Sequence, residues 1–209
     1  MEIYLVTKAN ARLYEAELDA FFAARYKIYV EEKGWMPANP EHREKDQFDT
    51  DHAHYMIGIE SGRVVAGSRF VATIYPHLLS EVFAYTCTNG PLVGATIAEW
   101  TRGFILPEFR GSSIMSEFCS AVMEWCLDEG ITHIGGIQEV YWLPLWRRFG
   151  WVFKPIGEPT EIDGDICVPG YCEVSERALA QVRRRAGLVA SNLIRQGQQL
   201  AFVEEAFVS

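Results

Sequence analysis

Residues 96–138 read TIAEWTRGFILPEFRGSSIMSEFCSAVMEWCLDEGITHIGGIQ. Thr96–Leu106 is rich in apolar and β-branched residues and reads as a strand. Pro107 and Gly111 break it with a turn. Ser112 or Ser113 can cap a helix in which Ile114, Phe118, Val122 and Trp125 recur at helical spacing, and Gly130 stops that helix near Glu129. His133–Gln138 is then a second strand. A strand, a turn, a helix and a strand in this order belong to an α/β domain.

The flanking sequence extends the same alternation. Residues 2–7 read as a strand and residues 11–32 as a helical region with Leu13, Leu18, Phe21, Phe22 and Ile28 among its apolar positions. Gly34, Pro37, Asn39, Pro40 and dense charge mark residues 33–52 as a long loop, and a loop of that length in a compact domain is usually functional. His54–Glu60 and Arg63–Ile74 are two strands joined by Ser61-Gly62, a hairpin signal. Residues 141–149 read as a short aromatic-rich helix, 151–156 and 166–174 as closing strands, and 175–186 and 190–206 as helices. The whole of 1–209 is expected to be one domain ending in these C-terminal helices.

The chain has 209 residues, about half of them apolar, enough for one substantial core. It contains no apolar run long enough to span a membrane. Met1-Glu2-Ile3-Tyr4-Leu5-Val6 lacks the basic and long apolar regions of a signal peptide, so a cytoplasmic location is expected. Five cysteines, at 87, 119, 126, 167 and 172, form no Cys-x-x-Cys pair, which argues against a disulfide framework or a structural zinc site. Cys119 and Cys126 share the apolar side of the predicted helix and read as small core residues. Nineteen basic residues against 28 acidic ones give a net charge of −9, which disfavours nucleic acid as a partner. Arg147, Arg148, Lys154 and the run Arg183-Arg184-Arg185 remain as a local basic patch or as solvated helix faces.

Charged residues of both signs recur in three short phrases: Arg25-Tyr26-Lys27-Ile28-Tyr29 with Trp35, Asp46-Gln47-Phe48-Asp49, and Glu99-Trp100-Thr101-Arg102. Arg69 and Glu99 sit inside stretches that otherwise read as buried strands. Burying an unpaired charge is costly, so these groups are expected to converge. Two readings stand side by side. Arg25, Asp46, Asp49, Arg69 and Arg102 make an ion-pair network that pins the 33–52 loop, or they bind a ligand carrying charges of both signs. Trp35 reads as packing or as a ring face for that ligand, and Glu99 as a base or as an arginine's partner.

Taken together, the phrases resemble the acyl-homoserine lactone synthases of the LuxI type, enzymes that make quorum-sensing signals. Arg25, Tyr29 and Trp35 resemble that family's Arg, aromatic, Trp pattern, with Tyr29 where the family usually has Phe. Asp46 and Asp49 resemble its paired aspartates, Arg69 its strand arginine, Phe83 a recurrent aromatic, and Glu99-x-x-Arg102 its Glu-x-x-Arg motif. The similarity spans about residues 3–156. It implies the GNAT acyltransferase fold, a mixed sheet with helices on both faces. It also implies two substrates and no further cofactor: S-adenosylmethionine, and an acyl thioester of coenzyme A or of acyl carrier protein. The amine of the first attacks the thioester, and the methionine carboxylate then closes a lactone and expels methylthioadenosine. Glu99 and Arg102 are the expected catalytic pair, with Glu99 removing the amine proton. Arg25, Tyr29, Trp35, Asp46, Asp49, Arg69 and Phe83 are expected around S-adenosylmethionine, whose sulfonium favours an aromatic face.

In the resembled fold the turn Phe109-Arg110-Gly111-Ser112-Ser113 presents backbone N–H groups and a helix N-terminus to the coenzyme A pyrophosphate. This turn lacks the second glycine of the usual acetyltransferase pattern, and an ordinary helix cap is the alternative. Phe104, Arg110, Gly111, Ser112, Tyr141, Trp142 and Trp146 are expected beside the acyl chain and coenzyme A. Large rings in Tyr141–Trp151 fill volume, which favours a short, branched or aryl acyl group. The acidic net charge opposes docking of an acidic carrier protein and tilts the donor toward acyl-coenzyme A. Two other readings remain: a GNAT N-acyltransferase acting on another amine, and a non-catalytic thioester-binding relative. The glycine-rich loop of a methyltransferase is absent.

Overall fold

The computed structural model describes residues 1–203. Its centre is a mixed sheet of nine strands: β1 (Glu2–Val6), β2 (His54–Glu60), β3 (Arg63–Ala72), β4 (Ile97–Ile105), β5 (His133–Glu139), β6 (Phe153–Pro155), β7 (Thr160–Ile162), β8 (Asp165–Glu173) and β9 (Leu193–Ile194). They lie in the order β6-β8-β5-β4-β3-β2-β1-β9, with β7 also paired to β8. Ladders β1–β2, β2–β3, β3–β4, β5–β8 and β6–β8 are antiparallel, whereas β4–β5 and β1–β9 are parallel.

Alternation along the strands sends side chains to two faces, and each face meets its own helices. Ile3, Leu5, Met56 and Phe70 pack with Phe118, Val122 and Trp125 of α3 (Ile114–Asp128) and with Leu179 and Val182 of α5 (Glu176–Ala186). Val6, Ile57 and Phe104 pack instead with Phe21 and Phe22 of α1 (Glu15–Tyr26). Cys119 and Cys126 are fully buried in the first of these cores, as their place on the apolar stripe predicts. Two shorter helices complete the set, α2 (Leu78–Glu81) and α4 (Leu143–Phe149). No helix among the described residues is long and apolar enough to cross a membrane.

The C-terminal expectation needs correcting. Gly187, at φ +69, ends α5 with a left-handed cap, and residues 190–203 are not helical. Asn192 donates from its side chain to Met1 O, and Leu193–Ile194 adds a parallel edge to β1. Ser191, Asn192 and Gly197 supply turn chemistry that a helix tolerates poorly. Residues 204–206 of that call lie outside the described residues. Ser112 and Ser113 also share the cap differently than expected: Ser113 occupies the N-cap position but donates to Glu117, while Ser112 Oγ accepts from Ile114 N at 3.3 Å.

Two irregularities position the site. First, β4 and β5 pair only through Ile97–His133, Ala98–Ile134 and Glu99–Gly135. Beyond Glu99 the two strands part, and the sheet opens. Second, the register between β3 and β4 slips between Gly67 and Arg69. Arg102 there takes φ +54, an uncommon value for a residue with a side chain. A bulge puts successive side chains on the same side of a strand, so Thr101 and Arg102 both face the α1 side.

Where β5 meets β8 there is no room for a side chain. A Cβ on Gly135 would stand 2.1 Å from Gly170 O and 2.6 Å from Tyr171 Cα. Gly135→Ala must therefore push β8 away from β5, and overpacking of this kind typically costs about 1–3 kcal/mol. Urea denaturation should show a lowered midpoint with unchanged slope; an unaltered midpoint would refute the close approach.

Candidate active site

The gap between β4 and β5 opens into a cleft of about 1230 Å³. One wall comes from the end of α1 and the loop after it. The helix widens into a π turn over Lys27–Glu32, which turns Tyr29 inward to donate to Gly103 O at 2.6 Å. Trp35 stacks on Tyr29 with ring centroids 5.8 Å apart, and the Arg102 guanidinium lies 5.3 Å from the centre of the Tyr29 ring.

Behind this wall three arginines meet three carboxylates. Arg25 donates to Asp49 through two N–H groups, at 2.7 and 3.0 Å, and to Glu44 at 2.6 Å. Arg69 grips Asp46 with both terminal nitrogens, stands 3.1 Å from Asp49, and donates to Thr101 Oγ1 at 3.2 Å. Arg102 joins Glu44 at 3.2 Å and Asp46 at 2.8 Å. Backbone and hydroxyl donors complete the carboxylates: Asp46 N and Tyr55 OH donate to Asp49, and Phe48 N to Asp46. Arg25, Arg69 and Glu44 are within 1% of complete burial. Burial alone would raise the Asp49 carboxyl, but Arg25 and Arg69 outweigh it and bring it down to about 2. The stability Asp49 contributes is thus complete above the ordinary carboxylate range and is lost only as pH falls toward about 2.

Glu99 is fully buried and touches no arginine. Its carboxylate accepts from Leu78 N at 3.0 Å and Leu79 N at 2.6 Å, at the start of α2. Burial raises its pKa, partly offset by His77 and by those two N–H groups. Gly136, at φ +148, packs against Glu99: a Cβ there would lie 3.3 Å from Glu99 Cγ and 3.8 Å from its Oε1. Gly136 lines the cleft and Glu99 does not.

The other side of the cleft is aromatic. Trp146 is stacked between Trp142, at 5.8 Å and 17°, and Trp151, at 5.3 Å and 12°. Its indole N–H donates to Gln138, and Trp100 adds a fourth indole 5.6 Å from Trp146. At the rim, Lys33 donates to Glu139 at 2.9 Å, and Glu139 also accepts from Tyr141 and Trp142. Burial would lower the Lys33 ammonium, but Glu139 raises it above its usual range. Tyr141 is pushed up to about 12 by burial and by Glu139. On the turn before α3, Arg110 is engaged by Glu32 at 2.7 and 2.9 Å. Gly111 takes φ +83.

Of the expected site residues, Tyr29, Trp35, Asp46, Phe83, Arg102, Phe104, Arg110, Gly111, Ser112, Tyr141, Trp142 and Trp146 all line the cleft. Arg25, Asp49, Arg69 and Glu99 stand behind its wall. Of the two readings offered for Glu99, the arginine partner is not the one the structure shows. Glu44, Lys33 and Glu139 were missed. Nothing local separates Glu44 from Glu41, but a count could have found it: Arg25, Arg69 and Arg102 leave one positive charge unmatched by Asp46 and Asp49.

The sequence model of the family described as autoinducer synthase matches residues 9–182. The isovaleryl-homoserine lactone synthase of Bradyrhizobium diazoefficiens is 31% identical over 192 residues, covering 89% of this chain and 86% of its own length. The structure of BjaI, a CoA-dependent acyl-homoserine lactone synthase solved with SAM and isopentyl-CoA, superposes with a TM-score of 0.91 at 30% identity, covering 96% of both chains. MesI, also described as CoA-dependent, superposes with a TM-score of 0.85 at 34% identity, covering 91% of this chain and 98% of its own. A putative N-acetyltransferase from Lactobacillus plantarum, at 18% identity and a TM-score of 0.57, covers 84% of this chain and 100% of its own and shares the fold alone. The chain belongs to the autoinducer synthase family and is an acyltransferase that makes an acyl-homoserine lactone.

Proposed function

We propose that the acyl donor is an acyl-coenzyme A ester carrying a short, branched or aryl group, and that the acyl acceptor is S-adenosylmethionine. The observation that carries this reading is the cleft between the splayed β4 and β5, with a buried carboxylate at its apex and a stack of indoles along one side. A thioester laid in the gap brings its carbonyl toward Glu99, and its acyl group against Trp142, Trp146 and Trp151. Rings held on both faces cannot swing aside, so the pocket stays short. The relatives described as CoA-dependent support the choice of carrier.

In the reaction the amine loses a proton and its lone pair attacks the thioester carbonyl. The C–S bond breaks and coenzyme A leaves as its thiol. The methionine carboxylate of the new amide then attacks the γ-carbon, closing the lactone and expelling methylthioadenosine. Glu99 takes the amine proton through a water lodged beside Gly136, a path left open by the missing side chain. A carboxyl whose pKa is raised by burial is the better proton acceptor for that step. Arg102, the one network arginine at the cleft surface, faces the methionine carboxylate. Tyr29, Trp35 and Phe83 offer ring faces to the sulfonium and adenine. Arg25, Arg69, Glu44 and Asp49 act at one remove, by holding the 33–52 loop in place. Both substrates are cytosolic metabolites and the five cysteines are unpaired, which supports a cytoplasmic location.

Three measurements check this reading. With S-adenosylmethionine and matched acyl groups, kcat/KM should favour the coenzyme A ester over the carrier-protein ester, and four- or five-carbon branched chains over chains of eight carbons. A carrier-protein ester favoured tenfold or more, about 1.4 kcal/mol, would reverse the donor assignment. Glu99→Gln should lower kcat by about 10²–10⁴-fold with little change in KM, the usual worth of a positioned base; near-normal turnover would reduce Glu99 to an anchor for α2. Arg69→Ala leaves three buried carboxylates facing two arginines, with Asp46 held by Arg102 and Asp49 by Arg25 alone, and should cost roughly 3–5 kcal/mol of stability, read by chemical denaturation. An inactive Arg69→Ala enzyme with unchanged stability would assign Arg69 to substrate rather than to the loop.

A further inference from the structure

The positive charges lining the cleft fall into two groups. Lys33 is neutralised by Glu139, Arg102 by Glu44 and Asp46, and Arg110 by Glu32. Arg148 on α4 and Arg185 on α5 also line the cleft, but neither has an acidic partner among the described residues. The two helices are pressed together beside them: a Cβ on Gly150, just past α4, would lie 2.0 Å from Gln181 Oε1, one turn before Arg185. The run Arg183-Arg184-Arg185 is therefore not a uniform solvated face. Arg183 reaches Glu124 at 2.8 Å, while Arg185 borders the cleft. In a chain of net charge −9, two uncompensated arginines lining the cleft from adjoining helices are a local exception to the acidic field.

We propose that Arg148 and Arg185 form the subsite for the 3′-phosphate of the coenzyme A adenosine. This rests on the coenzyme A reading above. Coenzyme A carries two separate anionic groups, a diphosphate and a phosphate monoester. The Arg110-Gly111-Ser112 turn at the start of α3 also borders the cleft and suits the diphosphate, whereas the monoester needs a second positive site. A phosphate monoester holds close to two negative charges at neutral pH, and guanidinium groups bind it through paired N–H donors. Two arginines on different helices would grip it from two sides. An acidic carrier protein is the other anion that could approach these arginines, but a binding place within the cleft fits a small phosphate better than a protein face.

The test compares isovaleryl-coenzyme A with its 3′-dephospho analogue as donors, in the wild type and in the double variant Arg148→Gln/Arg185→Gln. Both positions are exposed, so the variant should keep its unfolding midpoint. The wild type should favour the phosphorylated ester in kcat/KM by tenfold or more, and the double variant should lose that preference through KM. Calorimetric titration with adenosine 3′,5′-bisphosphate should show binding to the wild type and a loss of at least tenfold in the variant. Arg148→Lys/Arg185→Lys, which keeps the charge, should retain part of the preference. Equal falls for both esters, no preference in the wild type, or undiminished bisphosphate binding by the variant would each overturn the subsite. So would a larger fall with the carrier-protein ester than with the coenzyme A ester, which would make the pair a protein-docking patch. If the wild type makes lactone only from the carrier-protein ester, the donor reading fails, and the bisphosphate titration still decides the subsite separately.

Discussion

One wall of the cleft hangs on three arginines balanced against three carboxylates, almost all of them out of contact with solvent. Arg25 comes from α1, Arg69 from β3, Arg102 from β4, and Glu44, Asp46 and Asp49 from a loop with almost no regular structure. The loop has few apolar residues of its own to bury. What fixes it is that each of its carboxylates meets at least two arginines. Such a network is costly to assemble, since every charge leaves water, and a core of apolar residues would often be as stable. Its value is specificity of geometry, because charge and hydrogen-bond direction admit one arrangement where apolar packing admits several. That geometry carries Trp35 to Tyr29 and so shapes one wall of the site.

The opposite wall depends on a backbone choice. β4 and β5 begin as a parallel pair and separate after three residues. The separation leaves strand edges that would ordinarily be paired, and it is tolerated because the bulge at Arg102 and the glycine pair Gly135-Gly136 redirect both chains. The resulting wedge is the cleft, and the same glycines let β8 approach Gly135 and Glu99 pack against Gly136. Backbone irregularity and chemistry are located together here, as is common at functional sites.

Much of this was legible in the sequence, and unevenly so. The strand–turn–helix–strand run from Thr96 to Gln138 announces itself through periodicity and through Pro107, Gly111 and Gly130, and the structure follows it closely. The charged phrases point to one site, and twelve of the expected residues do line one cleft. The burial of Arg69 and Glu99 was also readable, because a charge within an apolar strand has few places to go. What could not be read was partnership. Glu99 faces two backbone N–H groups of a four-residue helix that has no sequence signature, and Glu44 is indistinguishable from its neighbours until the arginines are counted. The tail after Gly187 misled because its composition permits a helix, while an open edge on β1 and the turn residues at 191, 192 and 197 decide otherwise.

The ion pairs of this molecule divide by their exposure to solvent, and that division governs how the site responds to salt. The Debye length shrinks to about 8 Å at physiological ionic strength and to about 3 Å at 1 M. The Arg25–Asp49 and Arg69–Asp46 pairs are buried beyond the reach of mobile ions. The Arg110–Glu32 pair, with its side chains 46% and 37% exposed, is not. Rising ionic strength thus weakens the rim of the cleft, where the turn before α3 is tied to the π turn that follows α1, and leaves the network behind its wall as it was. A cleft built this way keeps one wall rigid as ionic strength changes while the tie at its rim loosens.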